Sequence, residues 1–153
     1  MSKEILLNEI RYAERLCQRT ARLYRKLQAA GTFLAVVGGS AMASALTPSL
    51  PTWLGVAGAA VFAVFGAAMI AVRPADKAAT NEADAKRYTK LRTDAVAMDE
   101  DAIRVALNKT REGDVAEVEP LREVAFNDVV REAGREDQVV PLRLLQRVLS
   151  AVA

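Results

Sequence analysis

The sequence predicts an all-α protein: a membrane helical hairpin joined to a small cytoplasmic helical bundle. Three observations carry that expectation. Every residue from Leu27 to Val72 is uncharged, although charged residues make up 26% of the chain. Two prolines, Pro48 and Pro51, interrupt that run near its middle. The flanking segments space their apolar residues three and four apart, the helical period. The 153 residues suffice for one modest domain. They divide into a basic amphipathic helix over 1–28, a two-span hairpin over 29–72, and a cytoplasmic helical region over 73–153.

The first segment is basic. Met1–Lys26 holds seven basic residues against three acidic ones, a bias hidden by the overall net charge of +2. Within Glu9–Leu27, EIRYAERLCQRTARLYRKL, basic residues fall at 11, 15, 19, 22 and 26. Ile10, Ala13, Cys17, Ala21 and Tyr24 follow another face. Most of the basic face is expected to be solvated and packed against the acidic C-terminal part. Arg25 and Lys26 before the hairpin, with Arg73 and Lys77 after it, are the candidates for lipid headgroup contact. Each well-placed charge contributes about 1 kcal/mol at an anionic surface.

The hairpin is read from length. Ala29–Leu46 and Thr52–Val72 are about 27 and 32 Å long as helices, close to the ~30 Å hydrocarbon core. Between them, the turn at 47–51 contains both prolines, which lack backbone donors and disfavour helix in the preceding residue. Two helices joined so briefly run antiparallel. Trp53 falls where an interfacial indole is favoured, and the charges at both outer ends place both termini in the cytoplasm and the turn outside. An Ala-rich hairpin could also form the core of a soluble bundle, but such helices keep a polar face. These runs offer only scattered Thr32, Ser40, Ser44 and Thr52. A signal peptide is not expected, because the apolar run begins near residue 29 and a second span follows at once.

Small residues recur every four positions: Gly31, Ala35, Gly39 and Ala43 in the first span, and Gly55, Ala59, Ala63, Ala67 and Ala71 in the second. Such faces let helix backbones approach closely in lipid. Gly31, Ala35, Gly39, Ser40, Ala43 and Ser44 are therefore the candidates for span packing or pore lining. They serve either the pairing of the two spans or the association of chains into a homo-oligomer.

After Arg73-Pro74, one long helix is expected over Ala75–Arg111, with Tyr88, Leu91, Ala95, Met98, Ala102 and Val105 on its apolar face. Gly113 marks a loop, and Pro120 opens a further helix, as suits proline at a first helical position. Leu121, Val124, Ala125 and Val129 form its apolar face, and Gly134 suits its C-terminal cap. Pro141 is expected to open a last helix with Leu142, Leu145, Val148, Leu149 and Val152 apolar.

No catalytic chemistry is expected, and neither a cofactor nor a metal. The chain has no histidine and one cysteine, so it can form neither an internal disulfide nor a Cys/His zinc site, and Cys17 has no histidine to activate it. Gly38-Gly39 is better read as packing than as a phosphate loop. Asp99-Glu100-Asp101 reads as a solvated acidic patch, since consecutive helical residues diverge. A nucleic-acid partner is not expected, because the basic residues abut a span and aromatic interleaving is sparse. With no charge inside the spans, neither a proton relay nor a charged selectivity ring is supported.

The order of RLYRKLQAAGTFLAVVGG, a short turn, AAVFAVFGAAMIAVRP, and a helix with AKRYTKLRTDA resembles the SLATT-type proteins of bacterial conflict systems. The late stretch VAFNDVVREAGRED, Val124–Asp137, is similar to an aromatic-Asn-acidic segment of some members. The resemblance extends from about Arg11 to Asp137. It implies a membrane effector of an antiviral system that forms pores or disrupts the membrane, with a nucleotide-signalling synthase or sensor as partner. It carries over no catalytic residue. A holin-like lysis protein and a non-pore scaffold recruiting a cytosolic partner are the alternatives.

Overall fold

The structure, a computed structural model, describes residues 2–44, 51–114 and 118–153, with only the backbone of Ser44. The end of the first expected span, 45–46, and positions 47–50 of the expected turn lie outside the described residues. Six α-helices account for most of the rest: α1 (Lys3–Ser44), α2 (Thr52–Val72), α3 (Pro74–Asp94), α4 (Glu100–Arg111), α5 (Arg122–Glu132) and α6 (Leu144–Val152). Short 3-10 turns occupy Glu119–Leu121 and Glu136–Gln138, and no strand occurs among the described residues. The chain forms two compact units, Met1–Leu23 with Lys77–Ala153, and Tyr24–Asp76.

The first unit is organised around the N-terminal part of α1, which carries two apolar stripes. Leu6, Ile10 and Cys17 pack with Ala85, Tyr88 and Leu91 of α3, Ala95, and Ile103 and Leu107 of α4. Leu16 packs with Leu121, Val124, Ala125 and Ala153, flanked by Tyr12, Leu23, Leu142 and Leu149. Each fully buried aliphatic side chain contributes about 1.5–3 kcal/mol. One helix with two stripes can thus hold α3 and α4 on one side and α5 and α6 on the other.

The expected helix over Ala75–Arg111 is two helices. Asp99 ends the continuity: its side chain accepts the Ala102 N–H at 2.8 Å and caps α4. Aspartate at this position satisfies a backbone donor that a continuing helix would otherwise satisfy. Lys3 secures the turn from outside, its Nζ donating to the carbonyls of Val96 at 3.0 Å and Met98 at 2.7 Å. The apolar face changes accordingly. Val105 and Ala102 are exposed, and Ile103 and Leu107 are buried in their place.

The acidic triplet is correspondingly dispersed. Asp99 caps α4, Glu100 accepts from the Lys3 backbone N–H at 2.9 Å, and Asp101 pairs with Arg104 at 3.4 Å. The last helix starts at Leu144 rather than Pro141, and its first turn is closed by the Arg143 N–H donating to Gln146 Oε1 at 2.8 Å. Gly134 does end α5, with φ at 69°. The Arg135 N–H reaches the Val130 carbonyl and the Gly134 N–H reaches that of Arg131, both at 3.0 Å. This is the double closure of a left-handed glycine cap.

The second unit contains the rest of α1 and all of α2. Pro51, extended at φ −63° and ψ 131°, precedes α2. At the far end Arg73 adopts φ 49° and ψ 53°, and its N–H bonds the Met69 carbonyl at 3.1 Å. Pro74 disfavours the right-handed conformation in the residue before it, which accounts for a non-glycine cap in a left-handed state. Pro74 itself then begins α3, where its missing donor costs nothing. Among the described residues, one helical stretch, beginning at Thr52, is long and apolar enough to cross a membrane, an 18-residue part of it having mean hydropathy 2.2.

Candidate functional site

Within residues 24–76, the two apolar helices meet backbone to backbone at Gly38 and Gly58. A Cβ added to Gly38 would lie 2.8 Å from the Phe62 nitrogen and 2.9 Å from the Gly58 oxygen. One added to Gly58 would lie 2.5 Å from the Met42 nitrogen and 2.6 Å from the Gly38 oxygen. Backbone atoms cannot swing aside as a side-chain tip can, so both positions require glycine. Gly31 extends the contact, its face filled by the thioether of Met69. Close approach of this kind maximises dispersion contacts between helices.

The residues at the interface follow a shallower path than steps of four. Gly31 and Gly38 are buried on α1, and Gly55 and Gly58 on α2, with Phe65, Met69 and Val72 half-buried beyond them. A step of four advances about 400°, some 40° past a full turn. Four such steps, from Gly55 to Ala71, leave the contact face. Ala59 is accordingly half-buried, while Ala63, Ala67 and Ala71 are exposed. Of the candidates on α1, Ala35 and Gly39 are half-buried, and Gly39 faces the Phe62 ring at 3.5 Å. Ser40 and Ala43 are exposed. The Ser40 hydroxyl donates to the Val36 carbonyl at 2.9 Å, so its polarity is satisfied within its own helix. Gly58 and Met69 did not stand out by steps of four. The seven-residue interval between Gly31 and Gly38 is the sequence signal that matches the observed face.

The outer faces of these helices are large and apolar. Phe33 is 66% exposed, Val56 69% and Ile70 80%. Gly31, Gly38, Gly55 and Gly58 lie inside while Phe33, Val56 and Ile70 lie outside, the reverse of a water-soluble pair. Of the candidate headgroup residues, Arg25 and Lys26 are exposed, Arg73 pairs with Asp76 at 2.6 Å, and Lys77 is half-buried with its carbonyl accepting from Asn81 Nδ2 at 2.8 Å.

In the other unit, the consecutive residues Phe126, Asn127 and Asp128 take three separate tasks. Asn127 is buried and pairs with the Val140 backbone in both directions, Nδ2 to the carbonyl and the N–H to Oδ1, each 2.8 Å. A side-chain amide thereby replaces a strand partner for the extended segment before α6. Asp128 receives the Arg19 guanidinium, which also donates to the Ser150 carbonyl at 3.0 Å. Phe126 is 41% exposed beside a groove of about 470 Å³. Arg15 pairs with Glu132, so the basic face of α1 does meet acidic residues of the C-terminal part.

A polar layer also crosses the α1–α3 contact. Glu14 is buried, 3.2 Å from Arg92, and accepts from Thr89 Oγ1 at 3.0 Å and Gln18 Nε2 at 3.2 Å. The Tyr88 hydroxyl donates to Asp114. Burial, and then the bond to that carboxylate, raise the Tyr88 phenol well above its ordinary value.

No known protein family, curated protein or solved structure matches the chain.

Proposed function

We propose that the chain is a membrane effector of a bacterial antiviral or conflict system, of the SLATT type, acting as a homo-oligomer that opens or thins the bilayer on activation. The observation that carries this reading is the inverted packing of residues 24–76: glycine inside, Phe33, Val56 and Ile70 outside. Lipid is the solvent in which such a surface costs nothing, and in which glycine contacts supply the association that the hydrophobic effect supplies in water. The uncharged run from Leu27 to Val72 and the basic residues flanking it support two spans in the inner membrane, with both termini cytoplasmic. In this mechanism a partner, a nucleotide-signalling synthase or sensor, acts on the helical part outside the lipid. The change there rearranges the oligomer, and the paired spans part or tilt. The test is depolarisation and dye entry in cells expressing the chain with its genetic neighbours. Depolarisation upon activation is expected; an intact potential during full activation would sink the pore mechanism.

One observation favours a second reading, a membrane scaffold for a cytosolic protein. On α6, Leu144 is 81% exposed and Leu145 60%. Co-purification of a stable partner, with no ion flux in liposomes, would favour the scaffold.

A further inference from the structure

We propose that the arginine-lined pocket between α1 and α5 binds a phosphate-bearing anion, held by Arg22 and Arg131. The pocket has a volume of about 270 Å³ and lies wholly within the unit of Met1–Leu23 and Lys77–Ala153. Arg15, Arg19 and Arg22 line it from α1, at the four- and three-residue steps that place them on one helix face. Asp128, Arg131 and Glu132 line it from α5.

The charges do not balance. Four guanidinium groups meet two carboxylates, leaving two positive charges. The pairing is specific as well. Asp128 is taken by Arg19, 2.8 Å from Nε and 3.0 Å from Nη2, and Glu132 is taken by Arg15. These pairs hold Arg15 and Arg19 in place and neutralise both acids. Arg22 and Arg131 make no hydrogen bond or ion pair with any described residue, although both border the same cavity.

Arg22 and Arg131 are exposed and border the same open cavity, and two positive charges unmatched by any described carboxylate raise its potential, which an anion relieves. A phosphate monoester carries about −1.5 to −2 at neutral pH and offers three acceptor oxygens, matching two guanidinium forks. A carboxylate would match only one. The same chemistry is available from a soluble phosphate compound or from a phosphomonoester lipid headgroup. Arg22 stands five positions before Leu27, where the uncharged run begins, so both sources enter the test.

The test uses the purified full chain in neutral detergent at pH 7.5. Inorganic phosphate is titrated calorimetrically. In a second arm, phosphatidic acid and phosphatidylcholine compete for the protein in native mass spectrometry. Saturable phosphate binding identifies a soluble ligand. Retention of phosphatidic acid over phosphatidylcholine without it identifies a headgroup. In either case, Arg22→Gln with Arg131→Gln should weaken binding about tenfold or more, the loss expected for charge-assisted hydrogen bonds. Because neither side chain bonds or pairs with any described residue, the double variant should fold as the parent does, which circular dichroism checks. Arg11→Gln is the control, an α1 arginine outside this pocket, and should change binding less than about twofold. The proposal is overturned by no saturable binding in either arm, by a double variant that binds like the parent, or by an equal loss in Arg11→Gln. It stands apart from the effector reading, since binding survives even if no pore forms.

Discussion

Arg19 Nε and Nη2 hold the two oxygens of Asp128 at 2.8 and 3.0 Å, a side-by-side pair joining α1 to α5 across 109 positions of sequence. Both side chains are about four-fifths buried, so solvent screens the pair less than a surface bridge. Asp128→Ala leaves the largely buried guanidinium without its carboxylate and should cost about 1.5–3 kcal/mol. The check is the denaturant midpoint of the full chain. A midpoint unchanged from the parent would mean that the pair contributes nothing.

Asn127 should fix the segment at Val140. Asn127→Ala removes both hydrogen bonds to that residue, and the Val140 amide should then exchange with solvent much faster than in the parent. Stability should fall by about 1–3 kcal/mol. Asn127→Asp should do no better, since it keeps the acceptor but loses the donor and buries a charge. Amide exchange at Val140 read by mass spectrometry or NMR distinguishes these outcomes from a purely global loss.

The glycine contact gives a comparison within one helix. Gly58→Leu places a side chain into the α1 backbone, whereas the Cβ position of Gly66 meets nothing within 4 Å. Gly58→Leu should separate the helix pair, and Gly66→Leu should leave it intact. Engineered cysteines at Ala41 and Val61, in a Cys17→Ala background, report the pairing by disulfide cross-linking. Equal cross-linking in both variants would show that the backbone approach is not required.

Tyr88 gives a pH prediction. Its folded phenol is raised by burial and by Asp114, while the unfolded phenol ionises near pH ~10. The folded state therefore holds this proton more tightly. The stability it gains is fully present below about pH 10 and is lost as the pH rises further. Of three tyrosines, one should resist ionisation in an ultraviolet titration until the chain unfolds. In Tyr88→Phe that resistant fraction should vanish, together with the alkaline loss of stability.

Much of the helical framework was legible in the chain. Val124, Ala125 and Val129 lie on the buried face of α5 as their spacing indicates, Leu121 is buried in the 3-10 turn just before it, and Gly134 caps that helix. What escaped depends on tertiary partners. The break at Ala95–Asp99 lies inside a stretch whose spacing continues without interruption, and only the Asp99 cap and the reach of Lys3 from the far end of the sequence end the helix there. Leu16 looks like one more residue beside the arginines until α5 covers it. The glycine face was obscured by geometry, because steps of four drift around a helix and steps of seven drift far less. Arg131 carried no signal at all in the sequence, since its significance arises from Arg22 across a pocket.

In the proposed topology Leu27–Val72 crosses a membrane twice, with its turn on the outer side. A Ser49→Cys variant in a Cys17→Ala background, expressed in a bacterial host, tests both parts at once with a membrane-impermeant maleimide. Labelling in intact spheroplasts, without lysis, is the result predicted. Labelling only after lysis, or recovery of the chain from a detergent-free high-speed supernatant, would contradict the claim.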